Sequence, residues 1–211
     1  MRKPAAPLSR QSSDDRHDAP AVGSTGSAEA LTDVADRLLA LRAGEGDDEA
    51  FAVLVHRHSA SLLALSRHLL GNSADAEDAV QEAFLSAWRR LPEFRHSAAF
   101  RTWMYRIVTN RCFNILRGRP PVVPLETVPE PAAPDMGSAP ARVTETDATI
   151  SALVTALRGL SAEQRACWVL RELHGLHYDE IAQVMNTSQQ TVRGRLFRAR
   201  RSLTEAMEPW R

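Results

Sequence analysis

Residues 175–203 read GLHYDEIAQVMNTSQQTVRGRLFRARRSL. Tyr178 to Met185 carries apolar residues at helical intervals, and Gly175 ahead of it stops the preceding helix. Asn186 tolerates a positive φ, and Ser188 offers a hydroxyl to cap a second helix over 188–207. A short helix, a three-residue turn and a longer helix make a helix-turn-helix unit. On the longer helix Val192, Leu196, Ala199 and Leu203 share one face and can pack on Ile181, Ala182 and Met185. At about 100° per residue, Gln190, Gly194 and Arg201 fall nearly opposite that stripe, flanked by Arg193 and Arg198. Five arginines and no acid lie between 188 and 204. A merely solvated helix face usually mixes charges for i, i+4 pairing, so this excess points to a polyanion. Gln189, Gln190 and Arg193 occupy the first turns, which in a major-groove helix reach base edges, where Gln reads adenine and Arg reads guanine. Gly194 costs ~1 kcal/mol of helix propensity relative to Ala, consistent with close approach of the backbone to a ligand. The candidate duplex-DNA contacts are therefore Ser188, Gln189, Gln190, Thr191, Arg193, Gly194, Arg198 and Arg201.

Upstream, Ser161 followed by Gln164 is a capping-box pattern that starts a helix over 161–174, and another helix is expected over 148–159. Residues 118–149 then change character, with seven prolines, no aromatic residue and mostly acidic charge, the composition of an extended linker. Ahead of the linker, FRHSAAFRTWMYRIVTNRCFNILRGR (94–119) interleaves arginines with Phe94, Phe100, Trp103, Tyr105 and Phe113. Cations that hold phosphates beside rings on which unpaired bases stack are what a single-stranded nucleic-acid surface needs. Phe100, Met104, Ile107 and Ile115 read as core, whereas Arg106, Thr109 and Phe113 fall on the other side. In DAEDAVQEAFLSAWRRL (75–91), Val80, Ala83, Phe84, Ala87, Trp88 and Leu91 form the buried stripe. Asp78, Glu82 and Arg89 face away with Leu85 between them, a docking patch with an apolar centre framed by carboxylates.

Between Ala30 and Pro120 every apolar pattern recurs at three or four residues, giving helices over 30–43, 47–70, 73–91 and 97–117, punctuated by Gly44, Gly71 and Pro92. Residues 1–28 lack aromatics and are rich in Ser, Ala, Pro and Gly, so they are expected to be disordered. The fold class is all-α: two small helical domains, 29–117 and 150–211, joined by the linker 118–149.

The chain has 211 residues, 44% of them hydrophobic and 25% charged, with zero formal net charge. That neutrality conceals blocks. Residues 29–88 hold 4 Arg against 11 acids, 89–119 hold 8 Arg against Glu93 alone, 120–149 hold one Arg against five acids, and 150–211 hold nine Arg against six. Two basic surfaces separated by acidic ones suit a chain that touches a polyanion twice and another partner elsewhere. Cys112 and Cys167 stand in separate helical patterns and support neither a disulfide framework nor a CxxC metal site, which fits a reducing cytoplasm. Cys167, His174 and His177 form the one conceivable metal set, and buried Cys with helix-end His is the commoner arrangement; no metal or cofactor is expected. No run of 18 apolar residues and no secretion signal is present, so neither export nor membrane insertion is expected.

Four stretches in this order resemble the extracytoplasmic-function (group IV) sigma factors of bacterial RNA polymerase: GDDEAFAVLVHRH (46–58), LLGNSADAEDAVQEAFLSAW (69–88), FRTWMYRIVTNRCFNILR (100–117) and residues 175–203. The resemblance covers roughly 35–117 and 150–207. It implies a chain with no catalytic residues that binds core polymerase through the largest-subunit clamp and the second-largest-subunit flap. Asp75, Asp78, Gln81, Glu82 and Leu85 would lie at the clamp. Arg95, His96, Ser97, Arg101, Trp103, Arg106, Thr109, Asn110 and Phe113 would capture the melted −10 strand, with a base flipped from the stack. The helix-turn-helix would read the −35 element as duplex, and the acidic linker would thread towards the RNA exit path. His177 stands where the family often has a Ser cap, Asn186 and Gly194 replace the commoner Gly and Ser, and Gln189–Gln190 is an unusual pair. No further domain is expected after Arg211, which would leave regulation to an outside protein such as an anti-sigma factor, or to expression level. Two other readings remain open on the residues alone. A stand-alone helix-turn-helix regulator leaves 75–117 unexplained, and an enzyme acting on nucleic acid lacks a phosphate loop, an HExxH motif or clustered carboxylates.

Overall fold

The helices that begin after Asp47, Asn72, Ser161 and Ser188 start where a side chain satisfies free backbone donors, whereas the one beginning at Phe100 has no side-chain cap. The computed structural model describes residues 35–94, 99–119 and 145–208, and all regular structure among them is helical. The tail over 1–28, most of the linker, and Arg95, His96 and Ser97 lie outside the described residues. Helix α1 covers 35–44. Helix α2, Asp48–Leu70, is capped by Asp47, whose carboxylate accepts the Ala50 N–H (2.9 Å), and ends at Gly71 with φ 69. Asn72 caps α3, Ser73–Arg90, by accepting the Ala74 N–H (2.9 Å); a single turn over Leu91–Glu93, opened by Pro92, ends it. Helix α4 is Phe100–Gly118.

These helices close on Leu54, Leu62, Leu65 and Leu69 of α2, the small-residue stripe Ala76, Ala79, Ala83 and Ala87 of α3, and Phe100, Met104 and Val108 of α4, all buried. Alanines let α3 approach its neighbours closely, and each leucine buried contributes about 1.5–3 kcal/mol. A Cβ on Gly44 would meet the Leu91 carbonyl oxygen at 3.3 Å, so the end of α1 packs on the end of α3 in a way only glycine permits without adjustment.

Helix α5, Glu145–Gly159, begins earlier than the expected 148. Its Leu157, with Leu160 after it, packs against Ala199 and Leu203. Helix α6, Ala162–Glu172, opens with the expected capping box: Ser161 Oγ accepts the Gln164 N–H (3.2 Å) and Gln164 Oε1 accepts the Ser161 N–H (3.3 Å). Helices α7, Tyr178–Val184, and α8, Gln189–Ala206, follow Gly175 (φ 69) and Asn186 (φ 47).

The two halves also pack on each other. Helix α4 runs against α7 and α2 against α6, and one cluster of buried residues is continuous from Ala40 to Leu196. Thr102 Oγ1 donates to Glu180 Oε1 (3.3 Å), Arg101 Nη2 lies 3.7 Å from the same oxygen, and the Tyr105 hydroxyl and His174 Nδ1 share a hydrogen bond (3.0 Å). Local periodicity carries no trace of this contact, which joins residues about seventy positions apart.

Candidate nucleic-acid interface

Ser188 Oγ accepts the Thr191 N–H (3.2 Å), setting the axis of α8. Val192, Leu196, Ala199 and Leu203 are buried as expected, which leaves Gln189, Gln190, Arg193 and Arg198 exposed. The Arg193 guanidinium lies 5.8 Å from the Tyr178 ring centroid, a cation–π contact that orients the charge without neutralising it. Arg201, by contrast, pairs with Glu205 (2.8 Å), and Arg200 pairs with Glu172 (2.7 Å). Hydrogen bonds to those carboxylates raise both guanidiniums above the ordinary arginine range. Arg193 and Arg198 have no ion pair among the described residues. A Cβ at Gly194 would sit 3.7 Å from the Arg198 guanidinium, an ordinary contact, so nothing inside the chain requires glycine there. Phe197 lies outside the contacts expected from the sequence. It is 69% exposed, and its place four residues from both Arg193 and Arg201 marks the outward face.

On α4, Trp103, Arg106, Asn110 and Phe113 keep the accessibility expected of them: Arg106 and Asn110 are exposed, Trp103 and Phe113 half-buried. Trp103 stacks on Phe94 at 4.7 Å between centroids, with Phe100 at 5.8 Å. Thr109 is a correction, being fully buried. It continues the stripe of Thr102 and Tyr105, whose side chains bond to the second half, and a helix wheel of an isolated domain places that stripe next to solvent. Arg101 is likewise turned towards Glu180. Two clefts flank the Trp103–Arg106 ridge. One, of about 560 Å³, runs between α4 and Gln183 of α7 with the turn residues Asn186 and Thr187; the other, of about 400 Å³, lies between α4 and α3 and includes Asn110 and Asn114. Arg90, in the last turn of α3 and not among the contacts expected from the sequence, lines both.

The acidic helix α3 divides in two. Asp75 pairs with Arg119, whose guanidinium also donates to the Leu70 carbonyl (3.0 Å), and Glu82 pairs with Arg111. Asp78, Gln81 and Leu85 remain exposed. Leu85, 58% exposed, rims an apolar groove of about 590 Å³ floored by Phe51, Val55, Phe84 and Trp88. Phe51 meets Phe84 edge-on at 6.3 Å and Trp88 at 4.8 Å, a ring cluster that holds the groove open.

Comparison with known proteins settles what these surfaces belong to. Residues 54–120 match the sigma-70 region 2 family and residues 150–203 match sigma-70 region 4. The RNA polymerase sigma-H factor of Pseudomonas aeruginosa is 35% identical over 85% of this chain and 97% of its own length. The ECF RNA polymerase sigma-E factor of Escherichia coli K12 is 36% identical over 82% of this chain and 95% of its own. The chain belongs to the extracytoplasmic-function sigma factors. As a sigma factor it directs promoter-specific transcription initiation. Among solved structures, CnrH in complex with the cytosolic domain of CnrY resembles this sigma factor with a TM-score of 0.64 and 28% identity, covering 83% of this chain and 98% of that one. The sigma factor RpoE in complex with the anti-sigma factor NepR from Bartonella quintana gives 0.58 and 25%, covering 75% and 96%. No helix among the described residues of the sigma factor is long and apolar enough to cross a membrane.

Proposed function

We propose that this sigma factor divides its work among three surfaces: the Leu85 groove on α3 binds core polymerase, the Trp103–Arg106 ridge on α4 holds the melted −10 strand, and α8 reads the −35 duplex. The observation that carries the reading is that α4 and α8 each keep exposed arginines with no ion pair among the described residues, Arg106 on one and Arg193 and Arg198 on the other, while α3 carries an exposed apolar groove. Phosphate attraction and ring stacking suit the ridge to unpaired bases, while Gln189, Gln190, Arg193 and Arg198 are placed for a major groove. Arg90 joins the −10 set, and Phe197 joins the −35 set as an apolar contact of the kind that recognises a thymine methyl. Thr109 leaves the −10 set. On this reading 35–118 and 145–208 act as separate binding units joined by the Pro-rich linker, with no catalytic group of their own, in the cytoplasm where polymerase works. The apolar groove is also the surface we assign to an anti-sigma partner, which would then exclude polymerase by competition.

Purified chain added to core polymerase should initiate at specific promoters of a genomic library, and absence of specific initiation would overturn the reading. Arg193→Ala is expected to weaken −35 binding by ~1–3 kcal/mol and to relax preference at one base pair, the loss of one bidentate contact. Uniform weakening across all sequences in a competition assay would show instead that Arg193 holds a phosphate.

A further inference from the structure

We infer that Tyr178, the first residue of α7, is a positioning residue for promoter reading: its ring holds the Arg193 guanidinium ready for the −35 duplex and acts through that arginine rather than by a base contact of its own. The inference rests on the −35 role proposed above for α8. Of the two exposed arginines on α8 without an ion pair, Arg193 and Arg198, only Arg193 lies over a ring among the described residues. The two are therefore prepared differently for the same duplex.

The tyrosine is itself fixed. Glu180 Oε2 accepts the His177 N–H (2.8 Å), which sets the start of α7, and the half-buried ring packs against the buried core. Two guanidiniums share that ring, Arg171 at 5.0 Å from its centroid and Arg193 at 5.8 Å, and a third, on Arg200, lies within reach of the Tyr178 hydroxyl. Two of the three are tied elsewhere: Arg171 Nη1 donates to the Leu176 carbonyl (2.8 Å), and Arg200 pairs with Glu172 (2.7 Å). Arg193 has the ring alone among the described residues. The negative face of an aromatic ring attracts a cation without occupying its N–H groups, so Arg193 keeps its donors for a guanine edge. Repulsion from Arg171 and Arg200 weakens the hold, so the contact orients the guanidinium yet yields to the stronger field of a duplex. A free arginine loses rotamer freedom when DNA fixes it; one already oriented loses less, and binds with sharper geometric discrimination. Arg198 lacks this preparation, its guanidinium resting beside Gly194, 3.7 Å from where a Cβ would stand.

The test uses the full chain bound to core polymerase, with a transcribed promoter competed against duplexes varied one pair at a time across the −35 element. Tyr178→Leu should weaken binding of the parent promoter about fivefold, the size of one lost cation–π contact and the ordering it provides. Preference should flatten only at the pair that Arg193→Ala flattens, and pairs that respond to Arg198→Ala should keep theirs. Tyr178→Phe retains the ring and should stay within about twofold of the parent. In the double variant Tyr178→Leu with Arg193→Ala the loss should equal that of Arg193→Ala alone, because the tyrosine then has nothing to position. Additive losses, flattening spread over every pair, or a Phe variant that behaves like the Leu variant would each overturn the inference. A second measurement needs no change at Tyr178. In NMR spectra of the full chain the ring current should move Arg193 side-chain protons upfield, and the displaced signals should vanish in Arg193→Ala and persist in Arg198→Ala. Undisplaced Arg193 protons overturn the positioning role even where Tyr178→Leu does not fold. Should Arg193→Ala leave every −35 preference intact, base reading by Arg193 falls and the positioning role with it; should it flatten one pair while a folded Tyr178→Leu flattens none, only the positioning role falls.

Discussion

Leu85→Arg is expected to reduce affinity for core polymerase by about 2–4 kcal/mol, the loss of a hot-spot residue, which is on the order of 30- to 1,000-fold in Kd. Leu85 is 58% exposed on the rim of a groove whose floor is aromatic, so its side chain gains little from folding and much from a partner that covers it. Stability should therefore change by less than about 0.5 kcal/mol, because the helix position tolerates Arg and no buried contact is lost. That separation is what makes the variant informative. Glu82→Arg, the obvious charge reversal on the same helix, removes the pair with Arg111 and sets two guanidiniums together across α3 and α4, so lost polymerase binding would be mixed with local disorder. Fluorescence anisotropy of labelled chain titrated with core polymerase measures the effect, with DNA binding by α8 as the control. Core affinity unchanged within twofold would reject the Leu85 groove as the polymerase surface.

The parts of this molecule legible in the sequence are those written in local chemistry. Helix ends at Ser161 and Ser188 follow from side chains that accept free backbone N–H groups, and the turns at Gly71, Gly175 and Asn186 from residues that adopt positive φ cheaply. The apolar stripe of α8 follows from a period of 3.6 residues. What stayed hidden depends on partners far along the chain. Asp75 and Glu82 look like free carboxylates until Arg119, just past the end of α4, and Arg111 on it arrive. Thr109 looks exposed until a second layer of helices covers its stripe. The Leu85 groove needs Phe51 from a different helix to give it a floor. Periodicity states which face of a helix is apolar; it does not count how many neighbours that helix has.

The second large effect concerns a carboxylate that local reading also passed over. Asp36 on α1 is fully buried, accepting from Arg57 Nη1 (2.8 Å) and bonding His58 Nε2 (2.7 Å) on α2. Helix α1 is too short to hold its shape in isolation; of its other inward residues Ala40 and Ala43 bury little area, and Leu39 packs on the core only partly buried. Asp36→Ala removes the carboxylate and leaves His58, itself almost wholly buried, without its partner, at an expected loss of about 3 kcal/mol. For a chain of this length the Tm should fall by roughly 6–12 °C. Asp36→Asn keeps the volume and a hydrogen bond and should lose about half as much. The acid limb of the stability curve supplies an independent check. Burial pushes this carboxyl up, but hydrogen bonds and charge from His58 and Arg57 together outweigh it and hold the group below the usual carboxylate range. A folded-state value below the unfolded one, near 3.9, means that the stabilisation is present above that pH and drains away as pH falls below it. Asp36→Ala should therefore lose stability at neutral pH and show a shallower acid decline than the parent below about pH 4, measured by urea denaturation at several pH values. A deficit under about 1 kcal/mol at pH 7, or an acid limb parallel to the parent's, would show that Ala40, Ala43 and the Gly44–Leu91 contact hold α1 by packing alone.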